Sequence, residues 1–170
     1  MKRALIILSL LALCWIPQLA IPKAAFLAKP EYSLHFGQGN SSGLSPADAT
    51  TYHFGDNLAI NGSTTTDGGH RVCSPVTGTV KRVYGAALIN GTAGSSENVT
   101  ITVRNVTAAT TENVTTTAVW NVGSKSEVSF SNTAMTLAVT AGDCLIMRIV
   151  TPTWVTNPTG VYIYATAVLK

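Results

Sequence analysis

From Thr50 onward the chain never repeats with a helical period, and this restricts its fold more than any other feature. Asn98-Val99-Thr100-Ile101-Thr102-Val103-Arg104 alternates at every step. Side chains on a strand alternate in direction, so Val99, Ile101 and Val103 share one face and the polar residues the other. Thr115–Asn121 repeats the pattern, with Ala118, Trp120 and Val122 inward, and Met135–Thr140 does so through Met135, Leu137 and Val139. Further strands are expected at Thr51–Phe54, Arg71–Cys73, Thr79–Leu88, Glu127–Ser131, Cys144–Val150 and Val161–Leu169. The last carries Tyr162 and Tyr164 opposite Val161, Ile163 and Ala165. Threonine, at 24 of 170 residues, suits such half-buried pleated surfaces. Eight to ten short strands at regular spacing predict an all-β fold, an antiparallel β-sandwich or jelly roll.

Cys144–Val150 is apolar on nearly both faces. Met147 or Ile149 packs the core on one side. Cys144, Ile146 and Tyr162 then either meet a neighbouring subunit or belong to a central, fully covered strand.

The first residues read differently. Met1-Lys2-Arg3 precedes a 13-residue apolar run, Ala4–Ile16, which Pro17 and Pro22 end. That is the length of a secretory h-region and short for a membrane span, so residues 1–24 are expected to be a signal peptide or, uncleaved, a membrane anchor. Residues 25–50 form a linker with one short strand at Glu31–Phe36, and 51–170 the β domain. Secretion or anchoring at a cell surface follows. Without 1–24, eight basic groups face eight acidic ones. No polybasic patch is left to hold a nucleic acid.

Loss of Cys14 with the leader leaves Cys73 and Cys144. In an oxidising compartment they form one disulfide closing a long loop, or they remain two buried thiols. Neither a metal nor a cofactor is implied. Asp56, Asp67 and His70 match no ligand spacing, His35 and His53 lie apart, and Asp67-Gly68-Gly69 is explained as a turn. No serine sits in a nucleophile elbow. The carboxylates Asp48, Asp56, Asp67, Glu97, Glu112, Glu127 and Asp143 mostly fall at turns. The chain is read as a non-enzyme.

Asn-x-Ser/Thr occurs at Asn40, Asn61, Asn90, Asn98, Asn105 and Asn113. These are glycan acceptors in a glycosylating host and otherwise solvated strand edges. Among aromatics, Trp154 stands in a loop bounded by Pro152 and Pro158. It is either held outward for binding or folded back as a plug on the sandwich end. Tyr84, with Tyr162 or Tyr164, would extend a sugar-stacking platform.

Leu44-Ser45-Pro46-Ala47-Asp48-Ala49-Thr50-Thr51-Tyr52-His53-Phe54-Gly55 begins a series of motifs. Gly91–Thr100, Phe130-Ser131-Asn132-Thr133, Val139-Thr140-Ala141-Gly142-Asp143 and Thr151–Pro158 continue it. In this order, over residues 32–170, they resemble the C-terminal β-rich head domains of environmental phage tail-fibre-like proteins. The Gly142-Asp143 turn into a late apolar strand is also similar to the trimeric jelly rolls of complement globular heads and tumour necrosis factors. The resemblance implies a homotrimer, on a virion fibre if phage-encoded, that attaches to a surface glycan or protein receptor. An export leader stands where a fibre stalk would be. The competing expectation is a secreted structural subunit that polymerises by lending residues 25–36 to a neighbour's sheet.

Overall fold

The computed structural model describes residues 30–37, 45–56, 71–90, 97–120 and 126–170, with backbone alone for 116–120 and 126. The leader and most of the 25–50 linker lie outside them. Ten strands and no helix are formed among the described residues. They are β1 (Tyr32–Gly37), β2 (Thr51–Phe54), β3 (Val72–Cys73), β4 (Gly78–Asn90), β5 (Glu97–Asn105), β6 (Thr110–Trp120), β7 (Ser126–Asn132), β8 (Ala138–Val139), β9 (Cys144–Val150) and β10 (Gly160–Leu169).

One sheet runs β1-β10-β4-β7, with β8 beside β4; the other runs β2-β9-β5-β6, with β3 beside β9. Every pairing is antiparallel. The pairs β1·β10, β2·β9, β4·β7 and β5·β6 are nested in sequence and distributed alternately between the sheets. A long double ribbon wound in this way is a jelly roll. The inner faces meet in one apolar cluster that includes Phe36, Val83, Ile89, Phe130 and Ile163 from the first sheet. From the second come Phe54, Ile101, Val103, Leu145 and Ile149. Each such side chain removed from water contributes about 1.5–3 kcal/mol.

The inward rows of β5 and β9 are as the sequence predicts, although Thr102, expected outward, is buried. Val99, Ile101 and Val103 are fully buried, and Leu145, Met147 and Ile149 line the same layer. Three further expectations are corrected. Met135–Thr140 contributes only the two-residue β8, although Met135 and Leu137 are buried. β6 begins at Thr110, five residues before the expected start; the inward direction expected for Ala118, Trp120 and Val122 lies outside the described side chains. Ile146 is 2% exposed, already covered within the chain. It also lies on β9 in the second sheet, whereas Tyr162 lies on β10 in the first. The two therefore cannot share a subunit-facing surface.

The strand at the head of the linker occupies an edge position. Tyr32 to Gly37 pair residue by residue with Leu169 to Tyr164 of the same chain. Glu31, just before it, takes the Arg82 Nη2 at 2.7 Å and the Lys170 Nζ at 2.6 Å. The Lys170 ammonium, by its hydrogen bond, holds the Glu31 carboxyl below its ordinary pKa.

Cys73 and Cys144 are direct cross-strand partners on β3 and β9 and form a disulfide across 71 residues of sequence. Beside it, Ser74 N donates to Asp143 O, and Gly142 N donates to Ser74 O, each at 2.8 Å. Gly142, at φ 91°, supplies the left-handed turn into β9. Asp143 Oδ2 closes the turn, accepting from Thr140 N and from Asn105 Nδ2, both at 2.8 Å. These bonds, the backbone one first, hold its carboxyl below the usual carboxylate range.

A loop of this length, left open in the unfolded state, is expected to cost the Cys73→Ser/Cys144→Ser double variant about 2–4 kcal/mol. Thermal melts should show this as a fall of roughly 5–15 °C. An unchanged melt, with the bond verified in the parent by peptide mass mapping, would contradict this stabilising role of the bond.

Candidate functional site

A one-residue irregularity in β4 decides what the outer face of the first sheet presents. Leu169 pairs with Val80 but Val168 pairs with Arg82, so Lys81 is an extra residue. Val80 and Val83 are both fully buried, and the two residues between them are both exposed. A bulge of this kind shifts the phase of alternation along the rest of its strand. Beyond it Val83, Ala87 and Ile89 point inward, and Tyr84, Ala86 and Leu88 point outward. Uninterrupted alternation from Val80 would have buried Tyr84.

The register then sets the outer face in rows. His35, Thr166, Tyr84 and Ser131 lie side by side on β1, β10, β4 and β7. The next row is Gly37, Tyr164, Ala86 and Ser129. The row after it holds Tyr162, Leu88 and Glu127. Tyr164 and Tyr84 are 56% and 48% exposed, large values for aromatics on a sheet. The Tyr164 hydroxyl donates to Glu127 Oε1 at 3.2 Å. Those residues stand two strands apart, roughly 9–10 Å at the usual strand spacing. The phenol ring must therefore lean across β4, above the small Ala86, which is buried as a result.

Beneath the same place Gly85 brings the strands together. A Cβ there would lie 2.2 Å from Tyr164 O and 2.6 Å from the Phe130 ring, so no larger residue fits. Tyr84, Gly85, Ala86, Glu127, Ser129, Phe130, Ser131 and Tyr164 thus line an open depression of about 370 Å³. Two aromatic walls, two exposed serine hydroxyls and one carboxylate surround it. Such a set stacks on the C–H face of a ring and exchanges hydrogen bonds with its hydroxyls. On the β1 side, His35 Nδ1 and Thr166 Oγ1 share a hydrogen bond of 3.1 Å.

The other sequence candidates are placed elsewhere. Trp154 is 5% exposed and belongs to the core cluster. Its indole Nε1 donates to Ala47 O at 3.3 Å, and its backbone N to Asp48 Oδ1 at 3.1 Å. Thr151 Oγ1 donates to the same Ala47 O, and Asn157 Nδ2 to Pro46 O. Trp154 is therefore a plug joining loops 45–50 and 151–159, and its face is not offered to a ligand. Tyr162 is half-buried, one row from the depression and not among its lining residues.

Among the sequons, Asn98 and Asn113 are exposed and Asn90 is half-buried. Asn105 is fully buried, with Nδ2 donating to Asp143 Oδ2 and Ala138 O while Oδ1 accepts from Ala108 N. It is a structural bracket, so its acceptor reading is corrected for the folded chain. Asn40 and Asn61 lie outside the described residues, as do Asp67 and His70. No three His, Cys, Asp or Glu side chains converge among the described residues.

Sequence reasoning expected Glu127, Ser129 and Ser131 on one strand but missed them as site residues. Their i, i+2 spacing was a signal that they share a face. Their meeting with Tyr164 depended on strand order. No protein-family profile and no curated protein matches the sequence.

The Glu127 carboxylate, through its hydrogen bond first and its charge second, raises the Tyr164 phenol above its ordinary pKa of 10.0. Ultraviolet difference titration should show the Tyr164 phenol ionising late, and Glu127→Gln, which removes the charge, should lower that midpoint. Identical titration curves for parent and variant would contradict the bond.

Proposed function

We propose that the protein is a non-catalytic attachment module, exported from the cell that makes it, which binds a surface glycan through the depression between Tyr84 and Tyr164. The observation that carries this reading is the outward Tyr84–Tyr164 pair. Two large rings left accessible on a sheet whose inner face is packed forgo hydrophobic burial, and among the described residues the bond from the Tyr164 hydroxyl to Glu127 is the one hydrogen bond either phenol makes. Ser129, Ser131 and Glu127 supply hydroxyl partners at the rim. The surface is shallow, which suits a sugar at the end or along the side of a polymer. It has no enclosed volume in which to exclude water from a reaction.

A single shallow sugar site binds weakly. A homotrimer, the association proposed here, would present three copies and gain avidity without any new contact. A jelly-roll head of this kind would suit the tip of a fibre or a cell-surface anchor equally. In the competing proposal of strand-exchange polymerisation, the edge beside β10 would receive a neighbour's strand. Its own β1 fills that edge through six paired residues, and this favours the attachment reading.

Tyr84→Ala and Tyr164→Ala are each expected to weaken binding to a responsive glycan or cell surface about 10-fold or more, the ordinary worth of a stacked aromatic. A Trp154 substitution should instead lower the melting temperature. Screening on an immobilised glycan panel, with melts run in parallel, checks both. Full binding by the folded Tyr84→Ala/Tyr164→Ala double variant would end the proposal.

A further inference from the structure

We infer that the sugar taken at this depression carries a free amine, as a hexosamine without its acetyl group does. The inference rests on the glycan reading above and adds the charge of the ligand. Glu127 is exposed, and among the described residues its carboxylate is held only by a neutral phenol. Glu31, on the same sheet, shows the contrast. It is met by two cations, Arg82 and Lys170, at 2.7 and 2.6 Å. That pairing also draws Arg82, the β4 cation nearest Tyr84 in sequence, onto Glu31. Among the described residues the depression therefore keeps one uncompensated negative charge, and no basic side chain stands among the residues that line it.

Beside this carboxylate lie two tyrosine faces. The face of an aromatic ring is the negative end of its quadrupole, so it attracts an ammonium and does nothing for an anion. Carboxylate and rings thus act in the same direction. A protonated amine would donate to Glu127 while its sugar ring stacks on Tyr164 or Tyr84. The carboxylate would keep its bond from the Tyr164 hydroxyl, since each oxygen accepts more than one donor. An N-acetylated sugar would keep the stacking and lose the charge. A uronic acid would set its own carboxylate against Glu127.

Three probes of equal length separate these cases in calorimetric titrations: a glucosamine tetramer, its fully N-acetylated counterpart and a galacturonic acid tetramer. The amine should bind about 10-fold tighter than the acetylated form, with the uronate weakest, and added salt should narrow the gap. Glu127→Gln keeps an acceptor for the Tyr164 hydroxyl and removes the charge. It should reduce the amine's advantage over the acetylated probe to about twofold or less. Equal or tighter binding of the acetylated or acidic probe would overturn the inference and leave the glycan reading standing. So would a preference for the amine that survives in Glu127→Gln or in the Tyr84→Ala/Tyr164→Ala double variant, since it would then reflect charge elsewhere. Failure of all three probes to bind would overturn both.

Discussion

The apolar layer between the two sheets is the constraint from which everything else in this protein follows. Val83, Ile89, Phe130 and Ile163 on one side face Ile101, Val103, Leu145 and Ile149 on the other. None of these strands could hide its inner row alone, because an isolated hairpin buries too little. The nested pairing of β1 with β10, β2 with β9, β4 with β7 and β5 with β6 lets each row find a cover. Once those rows face inward, strand geometry assigns every alternate residue to the outside. The outer face is a consequence of the core.

That dependence explains how a one-residue bulge at Lys81 acquires importance. It allows Val80 and Val83 both to enter the core, and in doing so it turns Tyr84 outward beside Tyr164. Ala86 and Gly85 then matter for their size. Ala86 lets the Tyr164 ring lean over β4 towards Glu127, and Gly85 admits the β10 backbone and the Phe130 ring. The proposed binding surface is built on strands β4, β7 and β10, so no loop would have to be ordered when a ligand arrives, which lowers the entropic cost of binding. The loops at the sandwich end have the opposite task. Trp154, Thr151, Asp48 and Asn157 are occupied in fastening 45–50 to 151–159.

Much of the fold was legible because alternation is a local signal. β2 and β9 have the expected bounds, and β5 and β10 lie within a residue or so of them. The sheet assignment was not legible, since strand order is set by long-range pairing that leaves no local mark; hence Ile146 and Tyr162 were grouped although they occupy different sheets. Met135 and Leu137 kept a strand's burial pattern without a strand's ladder, because β8 pairs with β4 through only two residues. At the site, Tyr84 and Tyr164 could be named from sequence as aromatics in strands. For Trp154 the flanking prolines fix a backbone without saying which way the indole turns, and of the two readings the fold has the plug. Glu127 went unnoticed because its significance lies in Tyr164, 37 residues further along.

The nested strand order is the claim on which both the core and the tyrosine face stand, and long-range nuclear Overhauser contacts in isotope-labelled protein test it most directly. The account predicts cross-strand backbone contacts joining Phe36 to Ala165, Ala165 to Gly85 and Gly85 to Phe130 in one sheet, and Tyr52 to Ile149 and Ile149 to Ile101 in the other. A spectrum in which β9 and β10 pair with each other as a simple hairpin, or in which helical sequential contacts run through residues 97–105, would contradict it.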